Sequence, residues 1–111
     1  MTNTSQEALD LEQLIATEPA LALYFSADSC GVCHALYPRL EAMFVEDFPQ
    51  LRLLRLRTED LQQQAAQLGV LSIPTLIIYL DHREQQRYVR QISVEGVRQD
   101  LSRPYALMFS D

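Results

Sequence analysis

Cys30 and Cys33 are the only cysteines of the chain, and Gly31 and Val32 separate them. Two thiols at this spacing can approach bonding distance across one turn of helix, which suits the making and breaking of a disulfide. The reactive species is the thiolate. Unpaired backbone N–H groups and the positive end of a helix dipole favour it over the thiol. His34 follows directly, so the same residues also spell Cys-x-x-Cys-His, the attachment pattern of a c-type haem. Met43 and Met108 would be its candidate second axial ligands. With His34 and His82 the two cysteines make four nominal zinc ligands, although His82 lies in a distant polar segment. Redox chemistry on the dithiol is the first reading, and haem and metal binding are the alternatives.

The surrounding pattern supplies the junction that this chemistry needs. Leu21-Ala22-Leu23-Tyr24-Phe25 is an apolar run that predicts a buried strand, and Ser26 to Ser29 is the loop after it. Val32, Leu36, Leu40 and Met43 then recur at helical spacing, which predicts a helix from about Gly31 to Asp47 with Pro38 inside it. The cysteines therefore fall on the first turn of a helix that follows a buried strand.

The remaining segments alternate in the same way. Thr4 to Glu7 has capping-box spacing ahead of a first helix with Leu11, Leu14 and Ile15 on its apolar face, ending before Pro19. Leu51 to Arg57 reads as a short strand whose Arg52, Arg55 and Arg57 mark a wet side. Thr58 or Asp60 opens a third helix, closed at Gly69. Thr75 to Leu80 is apolar and β-branched, a buried strand. Asp81 to Gln85 reads as a polar turn, Arg87 to Ile92 as an edge strand, and Ser93 as the cap of a last helix stopped by Pro104. Early alternation of strands and helices implies parallel pairing through right-handed crossovers, and the final hairpin adds an antiparallel edge. The expectation is one α/β domain over residues 1–111, with a core at about 8–103 and a tail at 104–111.

With 111 residues and 48% apolar side chains, the chain can build a core without structural staples. Its net charge of −6 disfavours a phosphate backbone as partner, and no apolar stretch has the length of a membrane span. Met1 to Asp10 lacks the basic start and apolar centre of a secretory signal, so the expected location is cytoplasmic. Thiols there are kept reduced, which favours a catalytic over a structural disulfide.

Three features together resemble the thioredoxin family: Cys30-Gly31-Val32-Cys33 opening a helix after a buried strand, Pro38 five residues past Cys33, and Ser72-Ile73-Pro74-Thr75 before an apolar strand. Gly69-Val70 fits as well, and the resemblance spans about residues 8–103. It implies a thioredoxin fold, with a mixed sheet of four or five strands flanked by helices on both faces and the usual first edge strand truncated or absent. It implies that Cys30, the more exposed, attacks a disulfide and that Cys33 resolves the mixed disulfide. It further implies that Gly31, Val32, Ile73 and a cis Pro74 contact substrate. The Cys30 thiol should titrate below ~8.5, towards ~7. Protein disulfides would be the substrates. A thioredoxin reductase-like flavoenzyme or glutathione would be the electron donor, and no cofactor or metal is required.

The departures from the family pattern are specific. Ser26 and Ser29 stand where tryptophans are usual, Val32 replaces a proline, and the family's buried carboxylate falls on Tyr24, with Arg55 in place of its lysine neighbour. A tyrosine is no base near neutral pH, since its reference pKa is ~10. His34, Asp28 and Glu59 are then the candidates for proton transfer at Cys33. The lost tryptophans and carboxylate also fit a second reading, a non-catalytic binding or assembly module. Val32 leaves open iron–sulfur binding across a dimer, as in relatives that lack the motif's proline.

Overall fold

The computed structural model describes residues 5–110. Helix α1 (Leu11–Thr17) leads into strand β1 (Ala20–Ser26), followed by helix α2 (Gly31–Asp47) and strand β2 (Arg52–Arg57). A 3-10 turn at Thr58–Asp60 precedes helix α3 (Gln62–Gln67). Strands β3 (Thr75–Leu80) and β4 (Arg83–Val89) form a hairpin, and helix α4 (Val94–Phe109) closes the fold. The four strands make one sheet in the order β2-β1-β3-β4. β1 pairs parallel with β2 and antiparallel with β3, and β3 pairs antiparallel with β4. No strand precedes β1 among the described residues.

All seven residues of β1 and all six of β3 are buried, which explains why both read as continuous apolar runs. Successive side chains leave a strand on opposite faces, so each run feeds two cores. Ala20, Ala22, Tyr24, Leu76 and Ile78 pack beneath α2 and α4 with Leu36, Leu40, Phe44, Val97 and Leu101. Leu21, Leu23, Phe25 and Ile77 pack on the other face with Leu11, Leu61 and Ala65, from α1 and the α3 region. The central strands therefore lie fully inside, and β2 and β4 are the edges.

Several boundaries differ from the sequence expectation, among them the start of α3, which opens at Gln62 after the 3-10 turn rather than at Thr58 or Asp60. Asp10, not the Thr4–Glu7 box, caps α1: its carboxylate accepts the Gln13 N–H at 3.1 Å. Thr4 itself lies outside the described residues. The hairpin turn is only Asp81-His82, both with positive φ (53° and 69°), so β4 begins at Arg83 and ends at Val89. Two left-handed residues give the turn the twist a tight hairpin requires. Glu84, Gln85 and Gln86, which look like loop by composition, are strand residues on an exposed edge.

Pro104 does not stop α4, which continues to Phe109. Tertiary packing holds the last turns. Tyr105 stacks edge-on against Phe48 at 4.9 Å and lies 4.7 Å from Phe109, and its hydroxyl accepts the Gln50 N–H at 2.9 Å. The stretch 104–109 is therefore helix docked beside the end of α2 rather than a tail. Finally, Arg55 and Arg57 are half-buried and engaged, so only Arg52 fits the wet-side reading.

Candidate active site

Cys30 occupies the N-cap of α2, with extended backbone (φ −91°, ψ 101°), and its Sγ accepts the Cys33 N–H at 3.2 Å. One of the helix's unpaired donors thus points at this sulfur, where it stabilises negative charge. Cys30 is partly exposed and Cys33 is fully buried against the α2–α4 core. The two are joined by a disulfide, with their Cα atoms 5.3 Å apart. An attacking group from solvent therefore meets Cys30 first.

The flanking backbone is firmly tied. Ile73–Pro74 is cis, Thr75 Oγ1 donates to the Ser72 carbonyl at 2.7 Å, and the Arg90 N–H donates to the Pro74 carbonyl at 2.7 Å. Ile73 packs half-buried against the same core cluster that Cys30 and Cys33 border. Val32 is 63% exposed, an apolar side chain left at the surface of the motif. Gly31 is exposed too, and a Cβ added there would meet nothing within 4 Å. The glycine is not demanded by packing.

Behind the disulfide lies Tyr24, fully buried, its hydroxyl donating to the Cys33 carbonyl at 2.9 Å. Burial pushes its phenol up to about 12, against a smaller opposing pull from the Arg55 guanidinium. It therefore stays protonated across the physiological range and acts as a hydrogen-bond donor only. Tyr37 lies beside it, ring centroids 5.5 Å apart, and is likewise pushed upward by burial and by Glu41.

Arg55 is the residue that sequence reasoning undervalued. It pairs in register with Tyr24 across β1 and β2, its guanidinium lies 4.8 Å from the Tyr37 ring centroid, and it donates to His34 Nδ1 at 2.5 Å. Arginine can only donate, so Nδ1 must accept and Nε2 carries the proton. That Nε2–H donates to the Asp28 carbonyl at 2.7 Å. Both ring nitrogens of His34 are thereby occupied.

Asp28 pairs with Arg57, which also binds Asp60 at 2.8 Å, and the Asp28 N–H donates to Glu59 at 3.1 Å. The three proton-transfer candidates converge on the loop before the cysteines. None of them has a hydrogen bond to either sulfur among the described residues. His82 sits at the opposite end of the sheet, bonded to the Ile15 carbonyl at 2.9 Å, so the four nominal zinc ligands are not brought together. Met43 is buried in the core.

A partly exposed cysteine at a helix N-terminus, disulfide-bonded to a buried one and beside a cis-proline loop, defines a thiol–disulfide exchange site. The comparisons with known proteins agree. The thioredoxin family model matches residues 2–103. The thioredoxin-like protein YdfQ of Bacillus subtilis is 29% identical over 99 residues, which cover 89% of this chain and 88% of that one. A thioredoxin of Chlamydia muridarum is 43% identical over 65 residues, 59% of this chain and 63% of that protein. The oxidized structure of thioredoxin O2 from Arabidopsis thaliana superposes with a TM-score of 0.77 at 18% identity, covering 93% of this chain and 91% of that one, a likeness of fold. The chain belongs to the thioredoxin family and is a thiol–disulfide oxidoreductase.

Proposed function

We propose that this protein works as a reductase of disulfides in protein substrates, in the cytoplasm, with its dithiol restored by a thioredoxin reductase-like flavoenzyme or by glutathione. The carrying observation is the asymmetry of the pair: Cys30 is partly exposed and its Sγ accepts a helix N–H, whereas Cys33 is buried. The Cys30 thiolate attacks one substrate sulfur, the substrate S–S bond breaks, and the first substrate thiolate leaves. Cys33 then attacks Cys30 Sγ, the mixed disulfide breaks, and the second substrate thiol departs. The substrate gains two electrons and two protons, and the enzyme is left as the Cys30–Cys33 disulfide. Gly31 and Val32 present the exposed contact surface. Ile73 offers backbone to an extended substrate strand, and the cis Pro74 beside it, its carbonyl held by the Arg90 N–H, keeps that backbone in place.

Among the described residues, no buried carboxylate serves proton transfer at Cys33. His34 could act there only after exchanging its Arg55 bond, and Asp28 and Glu59 are held in the loop's own bonds. The first substrate thiolate released is a base of suitable strength, and the Cys33 proton passes to it. The test is trapping with the two single-cysteine variants. Cys33→Ala should accumulate a mixed disulfide to a protein substrate through Cys30, and Cys30→Ala should accumulate none. Trapping by neither variant, or by Cys30→Ala alone, would refute the assignment.

A further inference from the structure

Nine arginines are the only formally cationic side chains of this acidic chain. Five of them are engaged: Arg52 with Glu18, Arg55 with His34, Arg57 with Asp28 and Asp60, Arg87 with Glu84, and Arg98 with Asp47. Among the described residues, Arg39, Arg83, Arg90 and Arg103 have no side-chain partner, and two of them, Arg39 and Arg90, line one groove that reaches the active site. One wall is α2, with Val32, Ala35, Leu36 and Arg39, and the other is the segment Arg90–Ser93. The groove has a volume of about 730 Å3, room for several side chains of an extended chain, and no acidic residue among the described ones lines it. Val32 belongs to the cysteine motif itself, and the Arg90 N–H is fixed to the Pro74 carbonyl, so both walls are anchored to the exchange site.

We infer that Arg39 and Arg90 set substrate specificity: the groove selects polypeptides carrying acidic side chains within a few residues of the target cysteine. The apolar floor of Val32, Leu36 and Ile92 takes the substrate's stem carbons. The two guanidiniums take its carboxylates. The local sign of charge is opposite to that of the whole molecule, whose net charge is −6. An acidic partner thus meets two unpaired guanidiniums in one groove beside the cysteines, where complementarity acts on encounter and register.

The inference rests on the reductase reading above, and one experiment separates the two. Two fluorogenic peptide disulfides, identical except that two Glu or two Gln flank the cysteine, are reduced by the intact protein with a small dithiol as electron source. At low ionic strength kcat/KM for the Glu peptide should exceed that for the Gln peptide by about fivefold, the scale of two exposed ion pairs. The ratio should shrink in high salt. In the double variant Arg39→Gln/Arg90→Gln the ratio should fall to about one, and in Arg39→Lys/Arg90→Lys it should persist, because charge is kept. A ratio measured on one preparation does not depend on the fraction folded. Equal rates in the unmodified protein, or a Glu preference that survives both glutamines, overturns the inference. Reduction of neither peptide overturns the reductase reading beneath it.

Discussion

Replacing Tyr24 by phenylalanine removes one oxygen and leaves the ring in place, which makes it a clean probe of what stands behind Cys33. The lost interaction is the buried hydroxyl donating to the Cys33 carbonyl at 2.9 Å. That carbonyl lies inside α2, where the helix's own i+4 pattern supplies a second donor from Tyr37, so no acceptor is stranded. The cost is then the net worth of one hydrogen bond, about 1 kcal/mol. For a chain of this size it corresponds to roughly 4 °C in melting temperature. The effect on exchange chemistry should be small. Because the phenol is pushed up to about 12, it carries no titration between pH 6 and 9, and the pH–rate profile for disulfide reduction should keep its shape.

The alkaline limb gives an independent check of sign. A phenol raised in the folded state stabilises it fully below the unfolded value of ~10, and this contribution is lost as pH rises through the folded value of about 12. Tyr37, Tyr79 and Tyr88 are raised as well and give both proteins a common alkaline decline. The Tyr24→Phe variant lacks the Tyr24 part of it, so the gap between the two stability curves should close between pH 10 and 12. Denaturant unfolding across this range measures the gap, and stopped-flow reduction measures the rates. A changed pH–rate profile between pH 6 and 9 would show the phenol moving protons and would refute the reasoning.

Four further outcomes follow from particular contacts. Arg55→Ala removes the guanidinium from the Tyr37 face and from His34 Nδ1; stability should fall by about 1–2 kcal/mol, and the His34 imidazole resonances should lose their single fixed tautomer in NMR. Tyr105→Ala takes away the ring seated on Phe48 and Phe109 and should cost roughly 2 kcal/mol in denaturant unfolding, whereas a dispensable tail would show no change. His34→Ala should leave the shape of the pH–rate profile for disulfide reduction intact, since both ring nitrogens serve the loop; a lost inflection would assign His34 to proton transfer. Thiol alkylation across redox buffers should give a reversible two-electron transition near ~−270 mV for a reductase, and a value towards ~−120 mV would indicate an oxidant.

The helix that carries the cysteines and the strand after the proline loop were legible because local and tertiary signals agree there. β3 ends where its composition changes, and α2 runs from Gly31 to Asp47 as its apolar spacing predicts. Disagreement marks the rest. Glu84 to Gln86 have loop composition, yet backbone pairing to β3 makes them strand, since an edge strand needs no apolar residues on its wet face. Pro104 is a breaker in isolation, and only the aromatic contacts of Tyr105 with the end of α2 carry the helix past it. The site shows the same division. The cysteine pair and the proline loop are local patterns. The Arg55–His34 contact joins residues 21 apart in sequence through β-sheet register, and no spacing within either segment encodes it.

The displaced charges give this interior a coherent logic. A carboxylate at the Tyr24 position would be buried in the core, a costly arrangement that proteins normally meet by raising its pKa. Tyrosine keeps the hydrogen bond to α2 and discards the charge. Arg55 is then free to turn outward, stack on Tyr37 and hold His34, which in turn fixes the Asp28 carbonyl and the loop before Cys30. Ionic contacts thus brace the exposed side of the motif, and its buried side stays neutral. In the mechanism proposed above, exchange in such a site depends on the substrate's own leaving thiolate to accept the Cys33 proton. Substrates whose first leaving thiol has a higher pKa should therefore be resolved faster after the mixed disulfide forms. A series of unsymmetrical substrate disulfides that leave the same thiol on Cys30 but release first thiols of graded pKa, followed by single-turnover kinetics, reads this directly. A resolution rate independent of that pKa would place the acceptor within the protein instead.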